Sequence, residues 1–137
     1  MKNEAEQIIS EFLFLSSWEE KYEHLISMGQ EMSGLDNNLK VEKNLLRGCQ
    51  SKVWIICKYN DGKLYFYADS DALITKGIVA LVIRLYSNAT PQEIINTKVN
   101  VFTKIGLQDH LSMNRVNGLN KMIQKIQKCA IQYLKDE

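Results

Sequence analysis

The spacing of apolar residues changes period twice along the chain. Ala5, Ile8, Ile9, Phe12 and Leu13 recur at helical spacing, which predicts a helix from about Asn3 to Leu15 with one apolar face. Ser16-Ser17 interrupts it. Ser17 with Glu20 makes a capping-box pattern that opens a second helix, which ends near Gly34. Its buried face would carry Trp18, Tyr22, Leu25, Ile26 and Met32. Residues 35–44 read as a polar connection. From Val53 the period becomes two: Val53, Ile55, Cys57 and Tyr59 alternate with Trp54, Ile56, Lys58 and Asn60, which predicts a strand. Asn60-Asp61-Gly62 is a hairpin turn signal, because these residues tolerate the positive φ of tight turns, and Lys63 to Ala68 is the return strand. Leu45-Leu46 adds a short third strand at the edge.

The helical period then returns. Leu73, Ile74, Gly77, Ile78, Leu81, Val82 and Leu85 form a wide apolar stripe over about Ala72 to Ser87, with Asp69, Ser70 or Asp71 available as the cap. Gly77 within this helix costs about 1 kcal/mol against alanine, so it should serve close packing against the sheet or the loop before Val53. Thr90-Pro91-Gln92-Glu93 combines a cap residue, a proline at the first helical position and a glutamate at the third. Short helical pieces follow over Val99 to Gln108. A last helix spans about Ser112 to Leu134, with Val116, Leu119, Ile123, Ile126, Ala130 and Tyr133 on one face. The expectation is an α+β fold in one domain over residues 1–137, a small antiparallel sheet of about three strands packed with helices.

Composition narrows the function classes. At 137 residues with 45% hydrophobic and 24% charged content, the chain can bury a core without a staple. A net charge of +1 gives no global attraction to nucleic acid or to an anionic membrane. No apolar run is long enough to span a bilayer, and Met1-Lys2-Asn3-Glu4 does not open a signal peptide. Three cysteines without a CxxC pair argue against a disulfide framework or a zinc site, and free thiols suit a cytoplasmic location.

The candidate chemistry lies in Arg47-Gly48-Cys49-Gln50-Ser51-Lys52. Gly48 allows a sharp bend that presents Cys49 at a loop tip, whereas Cys57 and Cys129 sit within apolar patterns and read as core. Arg47, Lys52 or Arg115 could lower the thiol pKa. Arg115, at the start of the last helix, stands where the helix dipole disfavours a cation, which suggests another use for it.

Several blocks together resemble the SufE family of sulfur acceptors for cysteine desulfurases. They are Trp18-Glu19-Glu20-Lys21-Tyr22, Gly48-Cys49-Gln50-Ser51 with Val53-Trp54, Asp69-Ser70-Asp71-Ala72 with Lys76-Gly77, and His110-Leu111-Ser112 leading to Arg115 and Asn117-Gly118-Leu119. They keep the family's order from residue 18 to 119. Met113 stands where the family often has proline.

The resemblance implies a SufE/IscU-like fold and a transpersulfidation partner that is not a stand-alone enzyme. Cys49 would accept sulfane sulfur from a SufS-type desulfurase, whose pyridoxal phosphate (PLP) does the cleavage chemistry, and pass it to a SufBCD-type assembly complex. The chain itself would need no cofactor or metal, and would bind neither nucleic acid nor membrane. Gly48, Gln50, Ser51, Asp71, Arg115 and His110 would support the cysteine. Asp71 can cap a helix or touch the cysteine loop, and His110 reads as a structural hydrogen-bonding residue more than a proton donor. Alternatives are a carrier for a paralogous desulfurase feeding tRNA or cofactor thiolation, and an IscU-type iron–sulfur scaffold. A scaffold needs several thiolates around one cluster, and only Cys49 is placed for that.

Overall fold

A hairpin of two long strands supports the helices. In the computed structural model, which describes residues 1–97 and 100–136, β1 (Val53–Asn60) pairs antiparallel with β2 (Lys63–Ser70), in a register from Val53 opposite Ser70 to Asn60 opposite Lys63. Asp61 (φ 52°) and Gly62 (φ 81°) form the two-residue turn, as Asn60-Asp61-Gly62 predicts. Val53, Ile55, Leu64, Phe66 and Ala68 share the buried face. The expected third strand is reduced to an isolated bridge between Leu45 and Trp54, with the Leu46 N–H donating to the Val53 carbonyl at 2.7 Å. The chain bends away at Gly48 (φ +89°) before a ladder can grow.

Helix α1 (Lys2–Phe14) buries Ile8 and Phe12 and leaves Leu13 exposed. Helix α2 (Trp18–Glu31) is capped by Ser17 Oγ, which accepts the Glu20 N–H, but the Glu20 carboxylate reaches back to Ser16 instead of closing the box on Ser17. Two single 3₁₀ turns, Asn37–Leu39 and Glu42–Asn44, occupy the polar connection.

Helix α3 (Leu73–Tyr86) runs through the core, with Ile78, Leu81, Val82 and Leu85 almost fully buried. Its Arg84 donates to Glu11 at 2.9 Å and to Glu4 at 3.0 Å, which ties α1 to α3. None of Asp69, Ser70 and Asp71 supplies its cap. The cap position is Ala72, without a side-chain bond, because the three polar side chains are engaged elsewhere. Gly77 also departs from expectation. It meets α2, not the sheet or the loop: a Cβ there would lie 2.3 Å from the Leu25 carbonyl oxygen, and one on Gly29 would lie 2.8 Å from the Gly77 nitrogen. The two glycines let the helix backbones touch.

Helix α4 (Pro91–Asn96) opens with the complete Thr90–Glu93 capping box. Helix α5 (Val101–Lys104) and a 3₁₀ turn over Leu107–His110 follow; the expected start of these pieces at Val99 lies outside the described residues. Helix α6 (Met113–Asp136) then crosses the buried face of the hairpin. At that crossing Cys57 and Cys129, expected as separate core residues, form a disulfide, and Tyr59 stacks on Tyr133 with ring centroids 5.0 Å apart. Cys57, in the middle of β1 on the side of Val53 and Ile55, meets α6 across 72 residues of sequence. Among the described residues, no helix is long and apolar enough to cross a membrane.

Asp69 organises the frame behind the cysteine loop. It is 4% exposed and accepts the N–H groups of Leu35 (3.1 Å) and Ser70 (2.9 Å), and pairs with Lys40 (3.1 Å) and Lys76 (3.3 Å). Burial alone would push its carboxyl up, but these two N–H groups and two ammonium groups outweigh it and hold the pKa below the usual value. A depressed carboxyl contributes stability that is present above its unfolded pKa and lost as pH falls through its folded one. Asp69→Asn should therefore lower stability by about 2 kcal/mol at neutral pH, since both lysines are partly solvated. The gap to the wild type should close below about pH 4 in denaturant titrations. A gap independent of pH would show that packing, not charge, sets the cost.

Candidate functional site: a thiol on a clamped loop

The loop from Leu46 to Val53 is held at its base, flank and tip. At the base lies the Leu46–Val53 hydrogen bond already described. On the flank, the Lys52 N–H donates to Asp71 Oδ1 at 3.0 Å, and the Lys52 carbonyl accepts the Ser70 hydroxyl at 2.8 Å. Asp71 thus contacts the cysteine loop and caps no helix. At the tip, Asn114 Nδ2 donates to Gln50 Oε1 at 2.9 Å, joining the loop to the first turn of α6. Thr75 donates to Ser51 at 3.5 Å, a weak bond to α3. The Asp69-Ser70-Asp71 run has a division of labour, with Asp69 holding the frame while Ser70 and Asp71 grip Lys52.

Cys49 sits half-buried in this loop and is the free thiol among the described residues. It faces a cavity of about 470 Å³ between the loop, α3 and α6. Ile78, Gly118 and Met122 form the buried floor with the buried Thr75 beside them, and Ser51, Asn114 and Arg115 carry polar groups on the rim. A Cβ on Gly118 would stand 3.6 Å from Cys49 Sγ, so the sulfur rests against the bare backbone of α6. Any side chain larger than alanine at 118 would crowd it. Gly48 serves twice. Its φ of +89° is one that side chains disfavour, and a Cβ there would lie 2.9 Å from Lys121 Cε.

Burial pushes the Cys49 thiol above its ordinary pKa, and the Lys121 ammonium opposes that shift without cancelling it. None of the cations singled out from sequence is the one that acts on the resting thiol. Arg47 is exposed and pairs with Glu42 at 2.8 Å. Arg115 lines the cavity rim and makes no ion pair among the described residues. Its backbone N–H donates to Ser112 Oγ at 3.3 Å, at the opening of α6. His110 is not brought to the cavity; its ring stacks on Trp18 at 3.8 Å and its Nδ1 bonds the Gly106 carbonyl at 3.1 Å, while its own carbonyl accepts the Tyr22 hydroxyl.

Sequence reasoning missed Asn114, Lys121 and Met122 as neighbours of the thiol, and no local signal marks them. Gly118 lies in a block that was matched, so its role was reachable. With Lys121→Met, the midpoint of the pH profile for iodoacetamide alkylation of Cys49 should move further upward, because the one opposing charge is gone. A downward move or no change would remove Lys121 from the thiol's electrostatics. Among the described residues, no three His, Cys, Asp or Glu side chains come together as a metal site.

A half-buried free thiol on a clamped, glycine-bent loop, seated against the last helix of an α+β fold, defines a small protein built around one thiol. The family model described as "SufE: Fe-S metabolism associated domain" matches residues 6–130. The chain belongs to the SufE family, and its role lies in Fe-S metabolism. Its fold is similar to the solution structure of a hypothetical protein from Thermus thermophilus, with a TM-score of 0.79 over 96% of each chain at 16% identity.

Proposed function

We propose that the chain is a sulfur acceptor and carrier that stimulates a PLP-dependent cysteine desulfurase. The observation that carries this reading is the pairing of one free thiol at a loop tip with a cavity large enough to shelter an added sulfur. Cys57 and Cys129 are bonded to each other, which leaves a single thiol, and that suits a carrier better than a cluster scaffold.

The chemistry balances without an outside oxidant. The Cys49 thiolate attacks the outer sulfur of the donor's cysteine persulfide. The donor's S–S bond breaks, a new S–S bond forms on Cys49, and the donor cysteine leaves as a thiolate. At rest the raised pKa keeps Cys49 protonated and unreactive. Docking of the donor brings its own charges to the loop, and Lys121 and Arg115 stand ready to favour the thiolate and then the anionic persulfide. The apolar floor of Ile78 and Met122 limits access of water and small reductants to the carried sulfur. From there the sulfur passes to a SufBCD-type iron–sulfur assembly complex.

The test is desulfurase turnover with a SufS-type enzyme from the same source, with and without this protein, followed by intact mass after L-cysteine. A severalfold stimulation and a gain of about 32 Da on this chain are expected. Neither stimulation nor adduct would overturn the reading and favour cluster reconstitution as the next assay.

A further inference from the structure

The near-neutral net charge conceals a segregation. Between Met113 and Lys135, α6 carries Arg115, Lys121, Lys125, Lys128 and Lys135 and no carboxylate, whereas α1 and α2 together carry seven glutamates against two lysines. Lys121, Lys125 and Lys128 recur at four and three residues, so they share one exposed face of α6. The Glu42–Asn44 turn lies opposite. Between them run two adjoining cavities of about 510 and 470 Å³, which share Lys43, Lys125 and Lys128 and so form one groove.

The groove is basic and its charges are unspent. Among the described residues its only ion pair is Arg47 with Glu42, and Lys43, Lys121, Lys125 and Lys128 have no carboxylate within reach. It is also continuous with the thiol site. Lys121 lines the groove and reaches Gly48, and Arg47 is the residue before that glycine. Concentrating like charges costs self-repulsion, which is offset when an anionic surface covers them.

We propose that this groove, between the Glu42–Asn44 turn and α6, docks an acidic surface of the protein that donates sulfur to Cys49. This rests on the sulfur-acceptor reading and adds to it a face and a charge. A protein surface fits better than nucleic acid. Among the described residues Tyr133 is the one aromatic side chain lining the groove, and Tyr59 takes up one face of its ring, which leaves little stacking surface for bases, while the acidic α1 and α2 repel a polyanion. Docking there would set the donor's persulfide beside the loop tip, with the groove supplying encounter rate and orientation and the cavity supplying chemistry.

The experiment compares three full-length proteins as activators of the desulfurase: wild type, the groove variant Lys43→Glu/Lys125→Glu/Lys128→Glu, and the control Lys2→Glu/Lys63→Glu/Lys104→Glu. All six positions are exposed, and the charge change is equal. The groove variant should raise the half-saturating concentration at least about tenfold at low salt while the maximal stimulated rate stays within about twofold. Added salt should erase most of the difference, and the control should stay close to wild type. The glutamine version of the groove variant should fall between, with unchanged circular dichroism and Tm. Equal behaviour of groove and control variants, with the wild type active, overturns the groove and leaves the sulfur-acceptor reading intact. A wild type that neither stimulates nor takes up sulfur overturns both. Tight binding of an oligouridylate that is lost only in the groove variant, with desulfurase kinetics unmoved, assigns the groove to nucleic acid and overturns the proposal.

Discussion

Cys49→Ser should carry no sulfur adduct and should leave the desulfurase at its unstimulated rate. Serine matches cysteine in shape, and with φ +89° carried by Gly48, the loop backbone asks nothing of residue 49 that serine cannot meet. The clamps through Gln50, Ser51 and Lys52 do not use the sulfur. What is lost is the nucleophile. A hydroxyl has no anionic form near neutral pH and does not displace a thiolate from a persulfide, so transfer should fall by at least about a thousandfold. Docking should survive, so the variant should compete with the wild type for the desulfurase. Turnover by the wild type with the adduct mapped to Cys57 or Cys129, or an adduct on the serine variant, would show that Cys49 is not the acceptor.

The largest structural effect is expected at Gly77. Helix propensity by itself favours Gly77→Ala by about 1 kcal/mol. Against this, the new Cβ would sit 2.3 Å from the Leu25 carbonyl oxygen and 2.6 Å from its carbon, and neither is the end of a side chain that can turn aside. The α2 backbone must move, and the Ile78 and Leu81 packing behind it moves too. Overpacking of this kind costs about 1–3 kcal/mol where side chains can give way and more where backbone must. We expect a net loss of about 3 kcal/mol and a Tm lower by about 10 °C. Gly62→Ala makes a useful contrast, since its site at φ +81° is open, with nothing within 4 Å, and only backbone strain of about 1 kcal/mol applies. If the two variants lost equal stability, conformational preference and not the helix contact would explain both.

The elements that were legible are those whose cause is local. Asp61-Gly62 makes its turn because two adjacent residues accept positive φ, and Thr90 and Glu93 cap α4 because they lie three residues apart. The alternation from Val53 to Asn60 marked the strand β1, whose Val53 and Ile55 are buried and Cys57 partly so, while Tyr59 in the same set is exposed. Where local rules allowed several partners, the choice went elsewhere. Asp71 could cap a helix or hold the loop, and the Lys52 N–H, otherwise without a partner in the turn, took it. Leu45-Leu46 had strand composition but too little length before the Gly48 bend to pair beyond one bridge.

By itself the sequence determined the helix and strand periods, the hairpin, the loop that carries Cys49 and, through its matched blocks, the family. Each depends on residues within a few positions of one another or on their order. Only the tertiary structure decided what surrounds the sulfur and what fastens the frame. Lys121 and Gly118 reach Cys49 because α6 crosses the loop, Cys57 meets Cys129 because the same helix crosses the hairpin, and Asp69 gathers Leu35, Lys40 and Lys76 because it is buried where three segments converge. Spacing along a chain carries no information about such crossings, which are set by how whole helix faces pack, and so the burial that pushes the thiol pKa up and the Lys121 charge that opposes it both come from packing far away in sequence.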